Sequence, residues 1–298
     1  MRKRRQFRLK LPRGGTLVLG ERTLVMGVLN ITPDSFYAGS RAAGVDEAVE
    51  RALQMERHGA DILDLGGEST RPGSEGASAD EELARVLPVL EKLRGRLKIP
   101  ISIDTQKAAV AEAAAAAGAQ ILNDVSALRS DPALAEVARR RGLPLILMHM
   151  RGEPRTMQQR AFARDVLKDV ASGLRAAMGR ASKARIRRSQ VILDPGIGFG
   201  KSFQQNCELL ARLPELARLG CPLLVGTSRK TFIGAYLAQP GQHAPDPRGA
   251  IAPPEDRLWG TAATIAAAVL GGAHVVRVHD VAEMAQVVRL ADAIRAAR

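Results

Sequence analysis

Short polar groups follow apolar runs at seven places along this chain, and their side chains are of kinds that bind and activate small molecules. They are Asn30-Ile31-Thr32-Pro33-Asp34-Ser35-Phe36, Gly66-Gly67-Glu68-Ser69-Thr70-Arg71-Pro72-Gly73, Asp104, Asn123-Asp124, Asp194-Pro195-Gly196-Ile197-Gly198-Phe199-Gly200-Lys201, Ser228-Arg229-Lys230 and Arg277-Val278-His279-Asp280. Asp104, Asn123 and Asp194 are short acceptors suited to the N–H groups of a flat nitrogen heterocycle, and a carboxylate takes two donors at once. Arg71, Arg277 and His279 are donors suited to phosphate oxygens, Arg bidentately. Lys230 serves either group. Together they describe a pocket for a heterocycle that carries a phosphate or diphosphate. Each residue also has a plainer reading: Asp194, before Pro-Gly, shapes a turn; Arg277 pairs with a neighbouring Asp; His279 is a hydrogen-bonded core histidine.

The elements that would bring these groups together are marked by a repeated punctuation. Five times a helical pattern stops at a Gly, two residues follow, and an apolar run of strand length begins: after Gly59, Gly118, Gly142, Gly220 and Gly272. Gly suits the left-handed position that ends a helix. Three further apolar runs, 23–29, 99–104 and 191–194, bring the strands to eight, alternating with helical patterns at 46–58, 80–93, 107–117, 132–141, 204–219, 255–270 and 282–297. Near-continuous apolar strands in that alternation predict a (β/α)8 TIM barrel, with an open parallel sheet as the alternative. In such a barrel the chemistry lies at the carboxyl ends of the strands, where the seven polar groups fall.

One domain over residues 1–298 is expected, with two additions. Residues 6–22 alternate apolar and charged, turn at Pro12-Arg13-Gly14-Gly15 and return, which predicts an N-terminal β-hairpin over the bottom of the barrel. Residues 239–254 hold five of the sixteen prolines and read as an exposed inserted loop after the seventh strand.

Composition narrows the partner. The 298 residues carry 44 Lys+Arg against 31 Asp+Glu, a formal charge of +13, so an anionic partner is needed somewhere. Aromatics are only 3%, which counts against the stacking platforms of single-stranded nucleic-acid binding. A small anionic substrate is expected, with no nucleic acid and no membrane. Cys207 and Cys221 make no disulfide framework, and the basic N-terminus lacks an apolar signal core, so a cytoplasmic location is expected. Generic motifs fail. A Walker A loop ending at Gly200-Lys201-Ser202 would need Gly at position 195, which is Pro195; the glycines at 196, 198 and 200 do not make GxGxxG; there is no HExxH.

In their order, these segments resemble the dihydropteroate synthase family of pterin-binding barrels. The resemblance runs from about Leu24 to Val288. It is carried by the groups above together with Met26-Gly27-Val28-Leu29, Ser102-Ile103-Asp104-Thr105, Ile121-Leu122-Asn123-Asp124-Val125, Leu147-Met148-His149-Met150 and Gly226-Thr227-Ser228-Arg229-Lys230. It implies condensation of 6-hydroxymethyl-7,8-dihydropterin diphosphate with p-aminobenzoate, with Mg2+, in a homodimer. Asp104, Asn123, Asp194 and Lys230 would hold the pterin edge, with Met148 beside the ring. Asn30 would ligate the metal, and Arg71, Arg277 and His279 would hold the departing diphosphate. The arylamine would sit near Thr70, Pro72, Phe199, Ser228 and Lys230. The loops at 31–43 and 69–79 would close over it.

Two departures stand out. Where the family commonly continues Ser-Asp-Gly-Gly, this chain has Tyr37-Ala38-Gly39-Ser40, so a loop carboxylate is missing at Ala38. The 239–254 insertion is the second. Other readings stay open on the sequence alone: a catalytically silent pterin-binding paralogue, motivated by Ala38; a methyltetrahydrofolate:corrinoid methyltransferase, which shares the barrel; and nucleic-acid binding, resting only on charge.

Overall fold

A computed structural model describes residues 4–31, 41–68, 76–152, 162–239, 241 and 245–297. Two short strands, β1 (Phe7–Lys10) and β2 (Thr16–Leu19), come first. Strands and helices then alternate: β3 (Leu24–Asn30), α1 (Arg41–Arg57), β4 (Ile62–Gly66), α2 (Ala79–Leu93), β5 (Ile101–Asp104), α3 (Ala108–Ala117), β6 (Ile121–Asp124) and α4 (Ala133–Arg141). The second half runs β7 (Leu145–Met148), α5 (Val166–Lys183), β8 (Val191–Asp194), α6 (Phe203–Ala211), α7 (Leu213–Leu216), β9 (Leu224–Val225), α8 (Thr231–Ala238), α9 (Leu258–Leu270), β10 (Val275–Val278) and α10 (Val281–Ala296).

The eight strands β3 to β10 form one parallel sheet in the order β8-β7-β6-β5-β4-β3-β10-β9. A single parallel bridge between Leu193 and Leu223, just before the two-residue β9, joins its two ends. The expected barrel is therefore present. All five glycines of the repeated punctuation have positive φ, from 67° at Gly142 to 127° at Gly118. Local caps set other boundaries: Ser78 and Glu81 form a reciprocal capping box at the start of α2, and Ser202 and Gln205 do the same for α6.

Three expectations shift in detail. The pattern at 204–219 is broken into α6, α7 and a 3-10 turn, because Pro214 has no N–H to donate and its ring crowds the preceding turn. Helices α5 and α8 add to the seven patterns read from sequence. The 239–254 segment is exposed for the most part, yet its described residues are organised by Gln239. That amide donates to the carbonyls of Asp246 and Ala250, each at 3.0 Å, and accepts from the Asp246 N–H at 2.9 Å.

Side chains alternate inward and outward along each strand, giving two apolar layers. The outer layer lies between strands and helices, with Leu63, Leu65, Ile103, Leu122, Leu147 and Leu193 fully buried. The inner layer fills the bottom of the barrel with Leu24, Met26, Ile62, Ile121, Ile146, Ile192, Leu224 and Val275, and Leu9, Leu17 and Leu19 of the hairpin join it. The hairpin therefore plugs the amino end of the barrel. Gln190 ties it down, accepting from Lys10 N–H at 3.0 Å and donating to Lys10 O at 2.8 Å. With apolar side chains filling its bottom, the barrel interior turns polar toward its carboxyl end.

Candidate active site

Above the apolar layer the inward positions change chemistry. Strand register aligns Asn30, Gly66, Asp104 and Asn123 across β3, β4, β5 and β6, and Met148 with Asp194 across β7 and β8. Gly66 leaves the space between Asn30 and Asp104 open: a Cβ there would lie 3.6 Å from Asn30 Oδ1 and 3.5 Å from Asp104 Cβ.

At the centre stands Arg277. Its Nε donates to Asp64 Oδ2 at 2.6 Å and its Nη2 to Asp104 Oδ2 at 2.8 Å, and its side chain is 22% exposed. Pairing with carboxylates, the plainer reading of this arginine, is thus how it sits, and it stands among the ring acceptors instead of apart from them. Asn123 Nδ2 also donates to Asp64 Oδ2, at 3.1 Å. Asp64 is fully buried and was not among the sequence candidates. Burial pushes the Asp104 carboxyl up; Arg277 opposes the shift, and the like charge of Asp64 adds to it.

Asp194 ends β8 in a loop that is built around it. Its Oδ1 accepts the Gly196 N–H at 2.7 Å, and burial still raises its carboxyl to about 6, against that hydrogen bond and the charge of Lys230. Lys201 holds the loop from below, donating to Gly196 O at 2.8 Å and Phe199 O at 2.9 Å; burial lowers its ammonium to about 7. Gly198 has φ of 85°, and a Cβ there would stand 2.9 Å from Lys230 Cδ. That clearance lets the Lys230 stem lie along the loop and brings Nζ to 3.9 Å from the centroid of the Phe199 ring. Phe199, Met148, Val125 and Met150 form a small apolar cluster at the mouth.

Ser228 and His279 complete the rim. Ser228 Oγ accepts the His279 backbone N–H at 3.1 Å and lies 3.0 Å from its Nδ1. Burial first, then the positive charges of Arg277, Arg229 and Lys230, lowers the imidazole to about 3, so the ring is neutral. With its one proton on Nε2, the Ser228 hydroxyl can donate to Nδ1 and leave Nε2–H for a ligand.

Thr70, Arg71, Pro72 and Ala38 lie outside the described residues. What flanks the second loop is described. Lys107 Nζ bridges Glu68 Oε2 and Glu82 Oε2, each at 2.7 Å, and Glu68 Oε1 accepts the Ala77 N–H at 3.1 Å. Glu68 therefore ties the two ends of the 69–75 segment together. Glu68 stands within the 66–73 segment, but its place there points to no role for it.

A closed parallel barrel with acceptors, a central guanidinium and a neutral imidazole at its carboxyl end defines a (β/α)8 enzyme built for a small polar heterocycle. Residues 26–279 match the family model described as pterin binding enzyme, and the chain belongs to that family. A relative from Synechocystis sp. named dihydropteroate synthase is 47% identical over 95% of this chain and 94% of its own length. A solved Xanthomonas albilineans dihydropteroate synthase with 4-aminobenzoic acid is 39% identical, with a TM-score of 0.86 over 98% of this chain and 99% of that one. A second structure from that organism, in complex with 7,8-dihydropteroate, is 38% identical, with a TM-score of 0.83 over 97% and 99%.

Proposed function

We propose that this chain is a transferase of folate biosynthesis: it condenses 6-hydroxymethyl-7,8-dihydropterin diphosphate with p-aminobenzoate to give 7,8-dihydropteroate and diphosphate. The observation that carries the reading is the meeting of Asp104, Asn123 and Asp194 with Arg277, Lys230 and His279 at the strand ends, in a chain whose relatives are named for that reaction.

Asp104, Asn123 and Asp194 accept from the N–H groups of the pterin, Lys230 meets its edge, and Met148 lies against its face. The pterin CH2–O bond breaks with its electron pair leaving on the diphosphate, and the resulting cation is spread over the ring near the two carboxylates. The arylamine nitrogen then forms the new C–N bond and releases a proton. The arylamine lies between Thr70, Pro72, Phe199 and Lys230, with its carboxylate at Ser228. Arg71, Arg277 through its remaining N–H groups, and His279 through Nε2–H take the diphosphate. Closure of the loops at 31–43 and 69–79 keeps out water that would capture the cation.

Asn30 suits a Mg2+ that is held mainly by substrate. Its amide oxygen faces the gap over Gly66, and among the described residues no three His, Cys, Asp or Glu gather into a metal cage. Asn30 would hold the ion through that oxygen, with substrate and water supplying its other ligands. Bound there, it would neutralise charge on the leaving group.

A homodimer in the cytoplasm is the proposed setting. Support for the dimer comes from exposed apolar side chains on α8, α9 and α10: Leu237, Trp259, Leu290 and Ile294.

The test incubates the purified protein with the pterin diphosphate, p-aminobenzoate and Mg2+. Dihydropteroate is expected. Bound pterin without product would favour the silent paralogue that Ala38 suggests, and methyl transfer to a corrinoid protein would favour the methyltransferase.

A further inference from the structure

Asp64 carries more of the site than its place inside an apolar strand suggests. It lies on β4 within Ile62-Leu63-Asp64-Leu65 and is fully buried. One of its oxygens, Oδ2, takes both the Asn123 amide and Arg277 Nε. Those donors come from β6 and β10, neither of which is a neighbour of β4 in the sheet, so the contacts cross the barrel interior. The other oxygen, Oδ1, is buried with no partner, and so is the hydroxyl of Ser102, its register neighbour on β5.

We propose that Asp64 is a positioning residue that decides which heterocycles the pocket accepts: it turns the Asn123 amide so that the carbonyl oxygen is left for the ligand, which must present an N–H there. The inference rests on the pterin reading above. An asparagine amide has two ends of nearly equal shape and opposite polarity, so its direction is set by what it touches. A carboxylate only accepts, and Asn123 must therefore point Nδ2 at Asp64. The same oxygen holds Arg277 by Nε, leaving its two terminal nitrogens for Asp104 and for ligand. A carboxylate kept only to stabilise the fold would have both oxygens partnered, because an orphaned buried acceptor is destabilising.

The test compares parent and Asp64→Asn by fluorescence titration with two rings, pterin and lumazine, in which a carbonyl oxygen replaces the 2-amino donor. The parent should prefer pterin. In Asp64→Asn, where residue 64 can donate as well as accept, that preference should fall at least about fivefold, in keeping with one misdirected hydrogen bond. The KM for pterin diphosphate should rise while that for p-aminobenzoate changes less than about twofold. In an Asn123→Ala background the substitution should leave ring preference where Asn123→Ala alone put it. Asp64→Ser, a smaller group that water can accompany, should show the same loss of preference and serves if the Asn variant does not fold.

An unchanged preference, or equal losses for both rings alongside a lower melting temperature, would overturn the proposal and leave Asp64 a scaffold residue. Failure of the parent itself to bind pterin would instead overturn the proposed function.

Discussion

Asp194 is a carboxylate held where ionisation is costly. Its folded value of about 6 lies above the ordinary one, so the folded state is favoured at low pH and loses that advantage as pH rises from about 4 to 6. Asp194→Asn keeps an oxygen for the Gly196 N–H and removes the charge. It should be more stable than the parent at pH 7.5 by up to about 3 kcal/mol, from roughly two units at 1.36 kcal/mol each, with a smaller gap near pH 4. Urea unfolding at the two pH values measures this; equal stabilities at pH 7.5 would refute the buried-charge account. Gly198→Ala should cost about 1–2 kcal/mol for its left-handed backbone and should raise the KM for p-aminobenzoate by displacing Lys230. An unchanged KM would show that the Lys230 stem does not need that clearance. The polar residues at strand ends were legible because a polar side chain stops an apolar run. Asp64 was not, because it sits inside one. Its available signal was the two-residue period, which puts it on the inward face with Ile62 and Gly66, where a buried carboxylate must find partners.

At the scale of elements, the hairpin and the barrel are one core. Leu19 is fully buried among bottom-layer side chains from several strands. Leu19→Ala should therefore cost about 2–5 kcal/mol while leaving kcat/KM near the parent value, because the site is at the other end. A loss of activity greater than the loss of folded protein would mean that the hairpin reaches the site. Most of this architecture could be read from the chain: the five helix-ending glycines, the strand runs and the hairpin turn are local signals, each satisfied within a few residues. What escaped had other causes. The buried face of α5, Val166, Leu167, Val170, Leu174, Ala177 and Ala181, does recur at helical spacing, and its start is capped by Asp165, so that helix was within reach. The Gln239 amide reaches backbone seven and eleven residues along the chain among the described residues of 239–254, which no periodicity reveals.

At the scale of the whole molecule, part of the excess charge of +13 lies away from the chemistry. The 139–141 arginines end α4 and the 185–188 segment leads into β8, both at the amino end of the barrel, and Arg139, Arg140 and Arg141 already pair with Glu136 or Glu112. The strand-end pocket needs only a few basic groups for a diphosphate and a benzoate. The proposed dimer makes its own prediction: Trp259→Glu, at a side chain 79% exposed on α9, should give a monomer by sedimentation with its fold intact, and a dimer that survives would move the interface elsewhere. The most direct test of the central claim follows both products of one reaction, with pterin diphosphate, p-aminobenzoate and Mg2+ supplied to the parent and to Asp194→Ala. Dihydropteroate and diphosphate should appear in equal amounts with the parent, and neither with the variant. Pterin bound by the parent without product, or product undiminished in Asp194→Ala, would contradict it.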